Sequence, residues 1–147
     1  MKRLALLVLT VIVTFTSSCN DDTNDEATLD TLTQQEQQDL LFLREEEKLA
    51  RDVYLFSFDA YGDAIFSNIA SSEQQHMDQV LTLLHTYGLD DPASSKRGVF
   101  KDPVLQDLYT DLTARSEISL IQALTIGTTI EDLDINDISI FESRSNK

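Results

Sequence analysis

The sequence has a single cysteine, Cys19. One thiol can form neither an internal disulfide nor a cysteine-rich zinc site. Two prolines, four glycines and no tryptophan offer little material for a turn-rich sheet fold and suit long helices. Basic residues are scarce, 11 Lys and Arg against 26 Asp and Glu, a formal net charge of −15. Such a chain repels phosphate backbones and anionic head groups, so nucleic acid is not an expected partner. Cations, metal ions included, are the natural small partners. No apolar run approaches the ~20 residues of a comfortable membrane span. A Gly-x-Ser-x-Gly nucleophile motif is also missing, which sets a hydrolase aside. What is present is an ordinary apolar fraction, 41% of 147 residues, enough for one globular domain.

The N-terminus reads as a targeting segment. Lys2 and Arg3 precede an apolar stretch over 4–15, broken only by Thr10 and Thr14, and Thr16-Ser17-Ser18 leads into Cys19. This is the three-part build of a secretory signal. Small residues before a lone cysteine resemble a bacterial lipoprotein signal, in which Cys19 becomes the acylated first residue; Thr16 stands where that motif prefers leucine. The expected organisation is a signal peptide over 1–18, an acidic flexible tether over 19–32 and a helical domain over 33–147. Localisation follows: an exported, membrane-anchored lipoprotein of the bacterial envelope. The acidic residues after Cys19 resemble surface-export signals of some Gram-negative lipoproteins, which points to the outer membrane or cell surface.

In the folded part, Thr33-Gln34-Gln35-Glu36 forms a capping box and Gly62 a stop, so the first helix is expected over about 33–61. Asp63 caps a second over about 64–87, closed by Gly88. Asp102-Pro103 starts a short third over about 103–115. Ser119-Leu120-Ile121-Gln122 starts a fourth over about 120–133, with Asp137 opening one more turn. The predicted fold is all-α, an up-down bundle.

Following one face of each helix shows where polar residues interrupt apolar seams. In the first helix the seam reads Leu40, Leu43, Glu47, Ala50, Tyr54, Ser57, Tyr61; in the second, Phe66, Ile69, Glu73, His76, Val80, Leu83, Tyr87; in the fourth, Leu120, Leu124, Gly127, Glu131, Asp134. Glu73 and His76 are i, i+3 neighbours pointing the same way. Unpaired buried carboxylates are costly and converging ones repel, and a bound cation removes both penalties. Carboxylates with one imidazole suit iron or manganese. The candidate ligands are Glu47, Glu73, His76 and Glu131, with Glu46 and Asp134 as further candidates. In that arrangement Glu47 and Glu131 are terminal ligands, Glu73 bridges and His76 donates a neutral nitrogen, leaving positions for dioxygen or peroxide. The competing reading makes 45–47 a solvated acidic face paired with Arg44, Lys48 and Arg51; it covers Glu45 and extends to Glu46. A seam through Phe42, Glu46, Leu49 and Val53 is equally apolar, so the choice between Glu46 and Glu47 stays open. His85, near the end of the second helix, reads as a cation favoured by the helix dipole rather than a ligand. Tyr54 reads as a core tyrosine.

The run Glu47-Lys-Leu-Ala50-Arg-Asp-Val-Tyr54 followed by Ile69-Ala-Ser-Ser-Glu73-Gln-Gln-His76 resembles the rubrerythrin-like branch of the ferritin superfamily. The stretches 40–54, 65–89, 98–109 and 119–135, in order, are similar to an uncharacterised bacterial ferritin-like family, a domain of unknown function; the resemblance covers about 40–138. It implies a ferritin-like bundle with Glu131 as the third-helix carboxylate, and no established reaction. Such domains continue through another ligand-bearing helix. Here ten residues follow Asp137, there is no second Glu-x-x-His, and the only histidines are His76 and His85. A two-metal site of the usual type is therefore not expected from one chain. The bundle is either C-terminally incomplete, completed by a second copy in a homodimer, or limited to one weakly held metal. Two functions stay in view: a redox or metal-handling protein, or a metal-free helical interaction module on a lipid tether.

Overall fold

A computed structural model describes residues 31–145. Cys19, the 1–18 signal and most of the 19–32 tether lie outside the described residues. Among the described residues the fold is an all-α bundle of four helices: α1 Gln34–Tyr61, α2 Ala64–Thr86, α3 Pro103–Ser116 and α4 Leu120–Ser145. None of them is long and apolar enough to cross a membrane.

The boundaries follow from local chemistry. Thr33 Oγ1 accepts from Glu36 N while Glu36 Oε2 accepts from Thr33 N, a reciprocal cap. Asp63 and Asp102 cap α2 and α3 by accepting from Ile65 N and Val104 N, and Ser119 Oγ accepts from Gln122 N at the head of α4. One boundary differs from the sequence reading. No break occurs near residue 133; α4 continues unbroken to Ser145. Asp137 is an interior residue of this helix, not the start of a new turn. No glycine or proline lies between Gly127 and the end of the chain, and the extra turns find anchors on α1. Phe141 packs edge-on to Phe42 with ring centroids 6.3 Å apart, and Arg144 Nη1 donates to Asp39 Oδ1 at 2.7 Å.

α1 is the hub. The other three helices all pack on it, α3 and α4 also pack on each other, and α2 touches only α1. Seven successive residues of α1, 44–50, are therefore buried, five of them charged. The apolar core joins Leu49 and Val53 of α1 to Phe66 and Ala70 of α2, Leu105 and Leu112 of α3, and Ile126 and Ile130 of α4. The buried stripe of α2 runs through Phe66, Ala70, Glu73, Met77, Val80 and Leu84. It is rotated slightly from the predicted seam, so His76 and Leu83 lie at its exposed edge. α2 and α4 both pack on α1 and not on each other.

Candidate metal centre

The Arg44–Asp52 segment of α1 carries seven charged side chains that sequence reasoning partly assigned to solvent. Burial overturns that assignment for Glu45 and Glu46, which are 3% and 5% exposed. Glu45 turns toward the segment before α3, where its two oxygens accept from Lys101 N at 2.7 Å and Asp102 N at 2.9 Å. Lys48 Nζ, fully buried, donates to Asp52 Oδ2 at 2.6 Å and lies 4.2 Å from the centre of the Phe100 ring. Arg51 and Gly98 N complete the shell of Asp52. Arg44 forks onto Asp91 and donates a third bond to Met77 O. These five charged residues are fully used in fastening the 87–102 connection and α2 to α1.

Glu46 and Glu47 are not. Each has an Oε2 that is buried and without a hydrogen-bond partner, two of the three such side-chain atoms among the described residues. A helix turns through roughly 100° per residue, so the two neighbours face different helices. Glu47 faces α2. His76 Nδ1 lies 2.9 Å from Glu73 Oε2 and 3.4 Å from Glu47 Oε2. Each of the three residues offers one ligand atom, and these atoms lie within 4.8 Å of one another. Glu47 and Glu73 are 6% and 4% exposed, whereas the imidazole is half exposed, with 49% of its side chain accessible. The trio is thus a buried pair of carboxylates reached from solvent past a histidine. The two carboxylates, Glu47 first and then Glu73, hold the imidazole proton and push its pKa up to about 10. Burial raises Glu47, against the attraction of His76.

Glu46 faces α4, where Asp137 lies within hydrogen-bonding reach and Asp134 close by. Burial, then these neighbours, pushes Glu46 up to about 9. Burial and the nearby Glu47, Glu73 and Glu131 carry Asp134 up to about 8. Glu131 is exposed on α4 and is not one of the close trio. Its Oε1 lies 2.9 Å from the Tyr54 hydroxyl, which also lies 3.2 Å from Gly127 O. Burial, then Glu131, raises the Tyr54 pKa. Gly127 permits this approach, since a Cβ there would sit 3.2 Å from the Tyr54 ring and hydroxyl. Of the sequence candidates, then, Glu47, Glu73 and His76 come together. Glu131 bonds to Tyr54, Asp134 lies close enough to feel the charges of Glu47 and Glu73, and Glu46 belongs to a different face. His85 is exposed in the last turn of α2, outside the cluster. Sequence reasoning missed Asp137. The signal was there: it follows Asp134 by three residues, a shared helical face once α4 is allowed to continue.

A helical bundle whose hub helix offers a buried glutamate to a Glu-x-x-His on its neighbour defines the class: an all-α protein with a carboxylate–histidine cluster. Its donor set fits a transition-metal ion, because one buried oxygen is unpartnered and the three donors are oxygen, oxygen and nitrogen at ligand spacing. The chain belongs to the family described as "Uncharacterized protein domain (DUF2202)", whose model matches residues 36–147. It is similar to the uncharacterized protein MJ0754 of Methanocaldococcus jannaschii, 46% identical over 108 residues, 73% of this chain and 58% of that protein. The chain therefore spans less than two thirds of this relative's length. The crystal structure of hypothetical protein MJ0754 from Methanococcus jannaschii shares the fold at a TM-score of 0.76 and 40% identity, covering 87% of this chain and 69% of that one. This relative is archaeal, so the family reaches beyond the bacteria that the sequence resemblance named.

Proposed function

We propose that this protein is a ferritin-like metal-binding protein that takes an iron or manganese ion on Glu47, Glu73 and His76, in a redox or metal-handling role. The observation that carries the reading is the convergence of two buried carboxylates and one accessible imidazole, with Glu47 Oε2 unsatisfied. In water a carboxylate is solvated; here the His76 ring nitrogen 3.4 Å from Glu47 Oε2 restores part of what burial removed, and a bound cation would restore more. Such an ion, when bound, supplies Lewis-acid and one-electron chemistry toward dioxygen or peroxide. The chain's own residues set the conditions for it. Glu47 and Glu73 balance the charge, His76 must give up the proton it shares with them, and Tyr54 bonds to Glu131. The test is metal content of protein purified without chelator, wild type against Glu73→Ala/His76→Ala. Stoichiometric iron or manganese in the wild type alone supports the reading. Equal trace metal in both sinks it.

The same proposal places the protein outside the cytoplasm of a bacterial cell, held to the envelope by a lipid on Cys19. Its support is the order of basic start, apolar stretch, small residues and lone cysteine. Labelling cells with a fatty-acid probe should mark the wild type and not Cys19→Ala.

A second reading, a metal-free helical module for interaction or structure at the envelope, draws on apolar side chains exposed on α2 and α4. Ile135 and Ile138 of α4 are 67% and 39% exposed and Leu83 of α2 is 44% exposed. A second copy covering these side chains would make a homodimer. Sedimentation at micromolar concentration separates the readings, because a metal-free dimer keeps its mass in Glu73→Ala/His76→Ala protein.

A further inference from the structure

Away from the Glu47–Glu73–His76 trio, we propose that the cavity between the first turns of α1 and the last turns of α4 binds a small organic cation, a protonated amine carried on an aromatic or alkyl body. The cavity measures about 520 Å³, inside the span of roughly 300–1,000 Å³ usual for pockets that enclose a small molecule. Its apolar lining is Leu41 and Phe42 of α1, Pro92 of the 87–102 connection, and Ile140 and Phe141 of α4. The Phe42 and Phe141 rings meet edge to face. Asp39 stands in the same wall and is only 8% exposed. Its hydrogen bonds are one-sided. Gln35 Nε2 at 2.9 Å and Arg144 Nη1 at 2.7 Å both donate to Oδ1, and Oδ2 accepts from no described residue. A carboxylate can accept on both oxygens, so a nearly buried one with an open oxygen gains from a further donor.

Charge decides which donor. Glu45 and Asp102 also line the cavity. Glu45 spends its oxygens on Lys101 N and Asp102 N, and Asp102 Oδ1 caps α3. These are bonds to neutral amides, and they leave the negative charge unbalanced. Arg144 is the one basic residue in the lining, and it is already paired with Asp39. The cavity therefore repels phosphates and carboxylates and attracts cations. A bare metal ion is poorly served, because the wall is largely apolar and among the described residues only the trio brings ligand atoms within 4.8 Å of one another. An ammonium on an apolar body meets both halves of the lining. Its N–H donates to Asp39 Oδ2, and its body takes Phe42, Ile140 and Phe141 out of water. The site depends on the continuation of α4, since Ile140, Phe141 and Arg144 all belong to its last two turns. None of Glu47, Glu73 and His76 lines it, so it stands or falls apart from the metal centre.

Isothermal titration of the purified protein with phenethylamine tests the site. Phenylacetate keeps the ring and reverses the charge; ethylamine keeps the charge and drops the ring. One phenethylamine should bind per chain, with both controls weaker by roughly tenfold or more. Asp39→Asn removes the charge and should weaken phenethylamine by a similar factor. Ile140 is 37% exposed, so Ile140→Arg puts a cation into the cavity without emptying the core and should abolish binding. Circular dichroism checks the fold of both variants, and Ile140→Arg decides alone if Asp39→Asn does not fold. Metal content should stay at the wild-type level in the folded variants. No phenethylamine binding by the wild type at millimolar concentration overturns the proposal. So does phenylacetate or ethylamine binding as tightly as phenethylamine, and so does unchanged phenethylamine affinity in either folded variant, which places the amine elsewhere.

Discussion

The two sides of α1 make opposite use of buried charge. Toward α3 and the 87–102 connection, Arg44, Glu45, Lys48, Arg51 and Asp52 are paired and hydrogen-bonded. Toward α2 and α4, Glu46 and Glu47 each keep a buried oxygen without a close donor, Glu46 facing Asp137 and Glu47 lying 3.4 Å from His76 Nδ1. Both sets come from one run of sequence and are comparably buried. A satisfied charge is fastening, costly to remove and of little further chemical use. An incompletely satisfied one weakens the fold unless a proton or a bound cation occupies it.

The largest effect that would sharpen this contrast is on the paired side. Asp52→Ala strands Lys48 in the core and leaves Gly98 N and Arg51 without their acceptor. It should cost about 3–5 kcal/mol of stability in urea denaturation. On the unpaired side, Glu47→Gln should weaken metal binding at least tenfold, which is about 1.4 kcal/mol, while leaving the metal-free urea midpoint unchanged or raised. A comparable loss of stability in both variants would erase the distinction between the two sides.

The sides should also differ in the direction of their response to pH. Glu46 is held up to about 9 against an ordinary 4.5, Asp134 up to about 8 against 3.8, and His76 up to about 10 against 6.5. Across those intervals the folded protein keeps protons that the unfolded chain has released. Their contribution to stability is full below the unfolded values and is lost as pH rises through the folded ones. Asp91, held low by Arg44, runs the other way: its contribution is present above 3.8 and is lost as pH falls through its depressed value. Metal-free protein should therefore melt at a lower temperature at pH 9 than at pH 5.5, and Glu46→Gln should flatten the slope. Metal affinity should rise over the same range, because His76 must lose its proton to bind. A melting temperature that climbs from pH 5.5 to 9 would contradict the assignment. The smallest effect is Tyr54→Phe, which removes the bond to Glu131 and should cost about 1 kcal/mol by thermal melting, with the Glu47–Glu73–His76 metal retained.

Much of the fold was legible. Thr33, Asp63, Asp102-Pro103 and Ser119 each marked a helix start, because capping is local hydrogen-bond chemistry between residues two or three apart. The end of α4 was not legible. Asp137 looked like a cap, and the anchors that carry the helix onward, Phe42 for Phe141 and Asp39 for Arg144, lie about a hundred residues away in sequence. At the site, Glu73 and His76 were readable as a pair from their spacing, while the place of Glu131 on Tyr54 needed the packing of α4 on α1 at Gly127.

By itself, the sequence determined that this protein is helical, where its first three helices run, and that Glu73 and His76 share one face. These are consequences of local periodicity, in which each residue's direction is set by its neighbours on the same helix. Only the tertiary structure decided the fate of the three adjacent glutamates. Glu45 caps the approach to α3, Glu46 meets the aspartates of α4 and Glu47 meets the Glu-x-x-His of α2. Successive residues on a helix point in different directions, and what lies in each direction is fixed by how distant helices pack.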